Sequence, residues 1–335
     1  HLTKFSNEAE ILRSEVREFL SDALKDIPKE TRAETWYGAD EDFSKKVGQM
    51  GWIGLNWPKE FGGAGRSAME RYVILEEMLT AGAPVGAHWI SDRQSGPLII
   101  RYGTEKHQKE LLPGILKGES YFCIGMSEPD SGSDLAALRT KAEKKDNIYV
   151  VNGTKLWTSG AHRCQYMIAC FRTSQEEDRH GGLSQFIVDL SLPGVTIRPI
   201  IDLAGRHHFN EVIFEDCEVP ADMLIGEEGN GWNQVTAELA LERSGPERYL
   251  SSYILLQELV NEFSSRNDDE GVTEIGRQMA HLTTLRQMSV SVAGMLDQGA
   301  NPALEASVVK DLGAVFEQEL PNIAHRLMGL EPDAN

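Results

Sequence analysis

Cysteine is scarce in this chain of 335 residues, and the four present, Cys123, Cys164, Cys170 and Cys217, show no Cys-x-x-Cys spacing. That spacing gives no ground for a zinc site or a disulfide framework. Three of the four lie in strand-like runs and read as small buried thiols in a reducing compartment. No apolar run reaches the length of a membrane span. The charged, amphipathic start is unlike a signal peptide, so a cytoplasmic protein with no membrane partner is expected. Positive charge is also short: 33 Lys and Arg stand against 52 Asp and Glu, a net charge of −19. Phosphate backbones and anionic membranes are held by clustered Lys and Arg, so nucleic acid is not the expected partner. A local basic groove for a phosphorylated small ligand stays open.

What is present is ordinary for a globular protein, with 41% apolar and 25% charged residues and a length that suits two or three domains. Residues 6–25 carry Ile11, Leu12, Val16, Phe19, Leu20, Ala23 and Leu24 at helical spacing, with Ser6 or Asn7 as cap. Further helices are expected at 41–50, 67–80, 93–102 and 105–117, with Pro113 set to kink or end the last. Between them, Gly51 to Gly65 is punctuated by Gly and Pro. No Lys-Ser or Lys-Thr follows it, so a packed loop is the better reading than a phosphate cradle. From 121 to 217 the pattern changes to short β-branched and aromatic runs: 121–126, 136–143, 147–152, 165–172, 184–190, 194–199 and 210–215. A helix is then expected from Gly231 past Leu255, with others at 273–298 and 303–319, the last interrupted by Pro321.

One stretch stands out from this background. It opens Phe122-Cys-Ile-Gly-Met-Ser-Glu-Pro-Asp-Ser-Gly-Ser-Asp134 and closes Tyr149-Val-Val-Asn-Gly-Thr-Lys-Leu-Trp-Thr-Ser159. Small residues let backbone N–H groups approach a ligand, and serine hydroxyls donate or accept. The closing half reads as a strand, a Gly turn and a strand bearing an aromatic. Each half alone is ambiguous between a polar turn, a core tryptophan and a ligand site.

Together, in this order, they resemble the flavin-binding middle domain of the acyl-CoA dehydrogenase family. The family also carries a Pro-x-x-aromatic-Gly-Gly loop like that at Pro58–Gly63. The resemblance implies an α+β multidomain fold: an N-terminal helical domain over 1–120, a middle antiparallel β-barrel or sandwich over 121–229, and a C-terminal helical bundle over 230–335. It implies FAD as cofactor and α,β-dehydrogenation of an acyl-CoA thioester, with a carboxylate taking the α proton while the β hydride goes to flavin N5. Electrons would pass to an electron-transfer flavoprotein.

By motif, Ser127 takes the position facing the flavin pyrimidine edge, with Met126 supplying backbone, and Ile124 is counted with them among the cofactor-binding residues. Gly132 and Ser133 take the place where the chain passes cofactor and pantetheine. Trp157 takes the place of the aromatic against the flavin, and Ser159 that of the hydroxyl near N5. Ser133 and Arg243 are the substrate-binding candidates. The family draws its base from one of two places. The commoner one precedes a C-terminal Gly-Thr-x-x-Ile-Gln run, which this chain lacks along with a Gln-x-x-Gly-Gly-x-Gly motif, so its last domain is expected to be truncated relative to the family. The other is a helix glutamate one residue before an arginine, and Glu242-Arg243 matches it. Glu238 and Glu247 are then expected to be solvated helix glutamates.

The family's Arg-x-x-Phe-Gly segment, which reaches a neighbouring subunit's cofactor, has no counterpart in Ser264–Gly276. Members that assemble as heteromers of two related subunits share this feature, including those acting on steroid side chains, so a homotetramer and a heterotetramer both remain open. Three other functions are weighed: a flavin oxidase or monooxygenase on the same fold, a non-catalytic partner subunit, and a DNA-associated relative, the last opposed by the charge of −19.

Overall fold

The computed structural model describes residues 4–241, 245–266 and 268–329. In chain order the helices before the sheet are α1 (Asn7–Ala23), α2 (Lys29–Ala33), α3 (Glu41–Gln49), α4 (Ala68–Thr80), α5 (Gly86–Ile90), α6 (Gly96–Tyr102) and α7 (Glu105–Leu116). The strands are β1 (Phe122–Gly125), β2 (Lys141–Lys145), β3 (Ile148–Ser159), β4 (Tyr166–Arg172), β5 (Leu183–Asp189), β6 (Val195–Ile201) and β7 (His207–Pro220). Helices α8 (Gly231–Leu241), α9 (Tyr253–Phe263), α10 (Asp269–Asp297) and α11 (Ala303–Met328) follow. The chain forms two compact units, one of residues 1–43, 65–86 and 240–335, the other of 44–64 and 87–239.

In the first unit α1 begins where the Ser6 hydroxyl accepts from the Ala9 N–H (3.2 Å), satisfying one orphan donor of the first turn. Its stripe Leu12, Val16 and Leu20 is buried. Helix α4 is buried over most of its length, including two acidic residues, Glu76 and Glu77. Three arginines answer them. Arg13 Nη1 donates to Glu76 Oε2 (2.7 Å) and Glu77 Oε1 (2.5 Å), and Arg17 Nε to Glu77 Oε2 (2.7 Å). Arg286 of α10 donates to both Glu76 oxygens (2.6 and 3.0 Å).

The expected single helix from Gly231 past Leu255 is not formed. Gly245-Pro246 opens a separate 3₁₀ turn to Arg248, and α9 starts anew at Tyr253, as expected where proline lacks the N–H that would continue the ladder. Pro321, by contrast, sits inside α11 without ending it, because Leu320 and Ala324 are buried on either side and hold the turn in place. Pro113 is accommodated likewise in α7 beside buried Leu111, Leu112 and Ile115.

Glu317 of α11 accepts from the Ser251 N–H (2.6 Å). Burial pushes its carboxyl up from the ordinary 4.5 to about 7, against the Ser251 bonds and Arg248. The folded chain therefore holds this proton more tightly than the unfolded chain. The stabilisation is complete below the unfolded value and is lost as pH rises through about 7. Thermal melts of the parent and Glu317→Gln should diverge across that window, with the parent losing up to about 1.4 kcal/mol per pH unit relative to the variant. Parallel curves would remove the assignment.

In the second unit the strands form one seven-stranded sheet in the order β1-β4-β2-β3-β7-β6, with β5 on β4. Most pairs are antiparallel, while β1 runs parallel to β4. Period-two alternation builds the core: Tyr149 and Val151, Met167, Ala169 and Phe171, Phe186 and Val188, Val212 and Phe214 share one cluster. On another cluster Leu138, Cys170 and Leu183 pack with Val235 of α8. Strand β2 starts at Lys141, later than the expected 136, because Leu135–Ala137 turns as a 3₁₀ helix.

The Gly51–Gly65 loop is packed, with Trp52, Ile53, Leu55 and Trp57 buried. Gly96 lies so close to the Trp57 ring that a Cβ there would fall 2.1 Å from it. Among the described residues no helix is long and apolar enough to cross a membrane, and no three His, Cys, Asp or Glu gather as a metal site.

Candidate functional site

The two halves of the singled-out stretch meet in the second unit. Strand β1 delivers Met126 and Ser127 beside the distal half of β3, where the Leu156 N–H donates to Ser127 O (2.8 Å). One residue earlier, Lys155 Nζ donates to Met126 O (3.1 Å) and to Glu128 Oε1 (2.8 Å). Lys155 is 0% exposed and Glu128 8%. The Glu128 carboxylate also accepts from the Arg139 N–H (2.6 Å) and the Thr140 N–H (3.0 Å). Burial alone would raise the Glu128 carboxyl, but the Lys155 charge and these bonds hold it below its ordinary value. Burial depresses Lys155, and the Glu128 charge offsets part of that.

Strand β3 is continuous from Ile148 to Ser159, so the expected Gly turn at Asn152-Gly153 is corrected to a bulge within one strand. Gly153, at φ 146°, passes so close to Thr140 that a Cβ would meet it at 2.5 Å. Asn152 bonds both ways with Asp216 across the sheet (3.0 and 2.9 Å), which keeps the strand paired through the irregularity.

A second bulge follows. Lys155 pairs with Val212 and Thr158 with Asn210, so Leu156 and Trp157 stand opposite Glu211 alone. Trp157 takes up the extra length at φ 59°, the left-handed region. That conformation in a residue other than glycine costs on the order of 1–3 kcal/mol and persists only where its surroundings enforce it. They do so from two sides. Leu156 is tied to Ser127 as above, and buried Asn210 donates through Nδ2 to Thr158 O (3.0 Å). The Trp157 ring meets Phe209 edge to face, with centroids 5.9 Å apart, and remains 55% exposed. The result is an aromatic ring held out to solvent near the end of β3, a geometry suited to a flat ligand.

Ser159 is half-buried at the end of β3 and pairs with Phe209. Asn210 also touches His162 Nδ1 (3.2 Å) and His207 Nε2 (2.7 Å), whose rings stack at 3.8 Å. Burial first, then the charges of His207 and Arg163, lower His162 to about 4, so at neutral pH its imidazole is uncharged.

Of the residues anticipated from the sequence, Met126, Ser127, Trp157 and Ser159 lie along these two joined segments, the first pair linked to Lys155 and Leu156. Ile124 is half-buried in β1, paired with Ile168. Gly132 and Ser133 are exposed in the next loop, which the reciprocal Glu128–Ser131 backbone bonds (2.7 and 3.1 Å) close and the Arg179–Asp134 pair braces. Glu242 and Arg243 lie outside the described residues. Glu247, expected to be solvated, is 4% exposed, because the Pro246 turn carries it into the unit's interior beside Arg248. Lys155, Glu128 and Asn210 were not anticipated. Lys155 carries no signal of burial in the sequence, since Asn152, Gly153, Thr154, Thr158 and Ser159 make its stretch of the strand largely polar.

Comparison with known proteins bears on this arrangement. The family model described as acyl-CoA dehydrogenase, N-terminal domain, matches residues 6–119, and that described as acyl-CoA dehydrogenase, middle domain, matches residues 123–217. Over 342 residues the chain is 33% identical to acyl-CoA dehydrogenase FadE29 of Mycobacterium tuberculosis, spanning 96% of this chain and 86% of that protein. Among solved structures it is similar to the Tcur3481-Tcur3483 steroid ACAD, with a TM-score of 0.89 and 28% identity over 98% of this chain and 88% of that one. It is also similar to the ChsE4-ChsE5 complex from Mycobacterium tuberculosis, with a TM-score of 0.84 and 30% identity over 97% and 86% of the two chains.

Proposed function

Because this chain belongs to the acyl-CoA dehydrogenase family and is therefore an oxidoreductase acting on acyl-CoA, we propose that it carries out FAD-dependent α,β-dehydrogenation of a CoA thioester with a bulky, steroid-type acyl group. The observation that carries the flavin reading is Trp157, an exposed ring held in a strained bulge. A planar isoalloxazine fits that ring, and the donor set beside it suits the group: the Ser127 and Ser159 hydroxyls and the backbone of Met126 and Ser127. Residues 121–229 act as the flavin-binding domain, with Gly132 and Ser133 passing the cofactor and pantetheine. Bound FAD supplies the two-electron acceptor that takes the β hydride at N5.

The chain's own part is binding, orientation and proton removal. Glu242 takes the α proton, and Arg243 next to it contacts substrate. The α proton is weakly acidic, so the base must be held against it in a site that polarises the thioester carbonyl. An electron-transfer flavoprotein would be the electron acceptor. The steroid class and pairing with a related subunit are supported by the similarity to the steroid ACAD and to a complex of two named chains, together with the missing Arg-x-x-Phe-Gly segment.

The test is flavin content after purification, alone and co-expressed with a related subunit, for the parent, Trp157→Ala and Ser159→Ala. A neutral hydrogen bond to the ring contributes on the order of 1 kcal/mol, and more where negative charge develops. Both variants should lose flavin or shift its spectrum, and the parent should load more fully with its partner. Equal loading and unchanged spectra in both variants would sink the flavin site. A fully loaded lone parent would sink the pairing.

A further inference from the structure

We infer that the buried Glu128–Lys155 ion pair is the positioning element that sets the flavin-facing edge, by locking the Met126–Ser127 segment to the Leu156–Trp157 bulge; this rests on the flavin reading above. The two residues come from different halves of the stretch, 27 positions apart, and meet at 2.8 Å with almost no exposure. Lys155 spans the gap: its Nζ reaches the Met126 carbonyl at 3.1 Å as well as the Glu128 carboxylate. The next residue, Leu156, donates to Ser127 O, and the one after it is the left-handed Trp157. Glu128 in turn is fixed from behind by the Arg139 and Thr140 N–H groups, so the lysine is anchored to a rigid acceptor and not to a mobile side chain.

A buried ion pair is weak evidence for stability, since well-packed apolar replacements are often neutral. Its value here is geometric. A hydrocarbon side chain at 155 could fill the same volume but could not hold the Met126 carbonyl, which leaves this side of the bulge to the Leu156–Ser127 backbone bond without the side-chain tie that braces it. Asn210 guards only the Thr158 side. The pair therefore acts through Met126, Ser127 and Trp157, and neither side chain needs to touch the cofactor.

The experiment compares the parent with Glu128→Gln, Lys155→Met and the double variant. The double variant removes both charges while leaving one side-chain carbonyl at position 128 to accept from one of the two backbone N–H groups that Glu128 serves. Each is read by melting temperature, by amide hydrogen exchange without cofactor, and by FAD titration into apoprotein. The single variants leave one buried charge uncompensated and should melt lower, while the double variant should melt near the parent. In the double variant the Leu156 amide should still exchange at least about tenfold faster than in the parent, with β4 amides unchanged. Its FAD dissociation constant should rise at least about tenfold. A double variant that regains both parental Leu156 protection and parental FAD affinity would show that the pair serves stability alone, and would overturn the proposal. A parent apoprotein that binds no FAD would instead overturn the flavin reading, leaving the positioning claim to be decided by Leu156 exchange.

Discussion

Glu242→Gln is expected to slow anaerobic flavin reduction by an active acyl-CoA about 10²–10⁴-fold, the usual loss when a general base is removed. The amide keeps the size and most contacts of the acid but has no basic oxygen, so folding and flavin content should survive. The comparison is made at equal flavin content, by stopped flow, with Glu238→Gln, four residues earlier in the sequence, as the control, whose rate should stay within a few-fold of the parent. Glu247→Gln does not serve as a second control, since Glu247 is buried beside Arg248. Its substitution should show in stability. If Glu242→Gln reduces its flavin as fast as the parent, the α proton goes to a group elsewhere, and the assignment of the base fails.

Arg13→Ala should destabilise the chain by about 3–5 kcal/mol, the loss typical when one partner of a buried ion pair is removed. Arg13 serves two buried carboxylates at once, at 2.7 and 2.5 Å, and its guanidinium also lies over the Phe5 ring at 4.9 Å. Removal leaves Glu76 with Arg286 and Glu77 with Arg17, in each case short of one charge-assisted bond. Arg17 is the internal comparison. Its side chain is 65% exposed, so water can replace it, and Arg17→Ala should cost no more than about 1 kcal/mol. Denaturant midpoints of the three proteins check this. Equal losses for Arg13→Ala and Arg17→Ala would mean that the ladder behaves as a surface pair despite its burial.

Several features were already decided by the linear sequence. Helical spacing in Leu12, Val16 and Leu20 and the cap at Ser6 depend on neighbours within one or two turns, so α1 could be read before any fold was known. The same holds for the short β-branched and aromatic runs, set off by turns, that give β4 and β5 their bounds within a residue of expectation. Family membership was legible because two short motifs carry it, and motifs are local by construction.

Other features wait on pairings between distant residues. Asn152-Gly153 looks like a turn in isolation, and only β7, reached through Asp216, holds it extended. Pro321 looks like a helix end until Leu320 and Ala324 are seen buried around it. A lysine in a strand reads as solvated, and Lys155 becomes a buried tie only because Glu128 meets it from another segment. Trp157 taken alone is ambiguous between core and ligand site, and only the motif points it at a ligand; the bulge that turns it outward is a matter of register between β3 and β7. Local propensity and motif chemistry are short-range and stand written in the sequence. Register, burial of charge and backbone strain are set by long-range contacts whose free energy exists only once the chain has closed on itself.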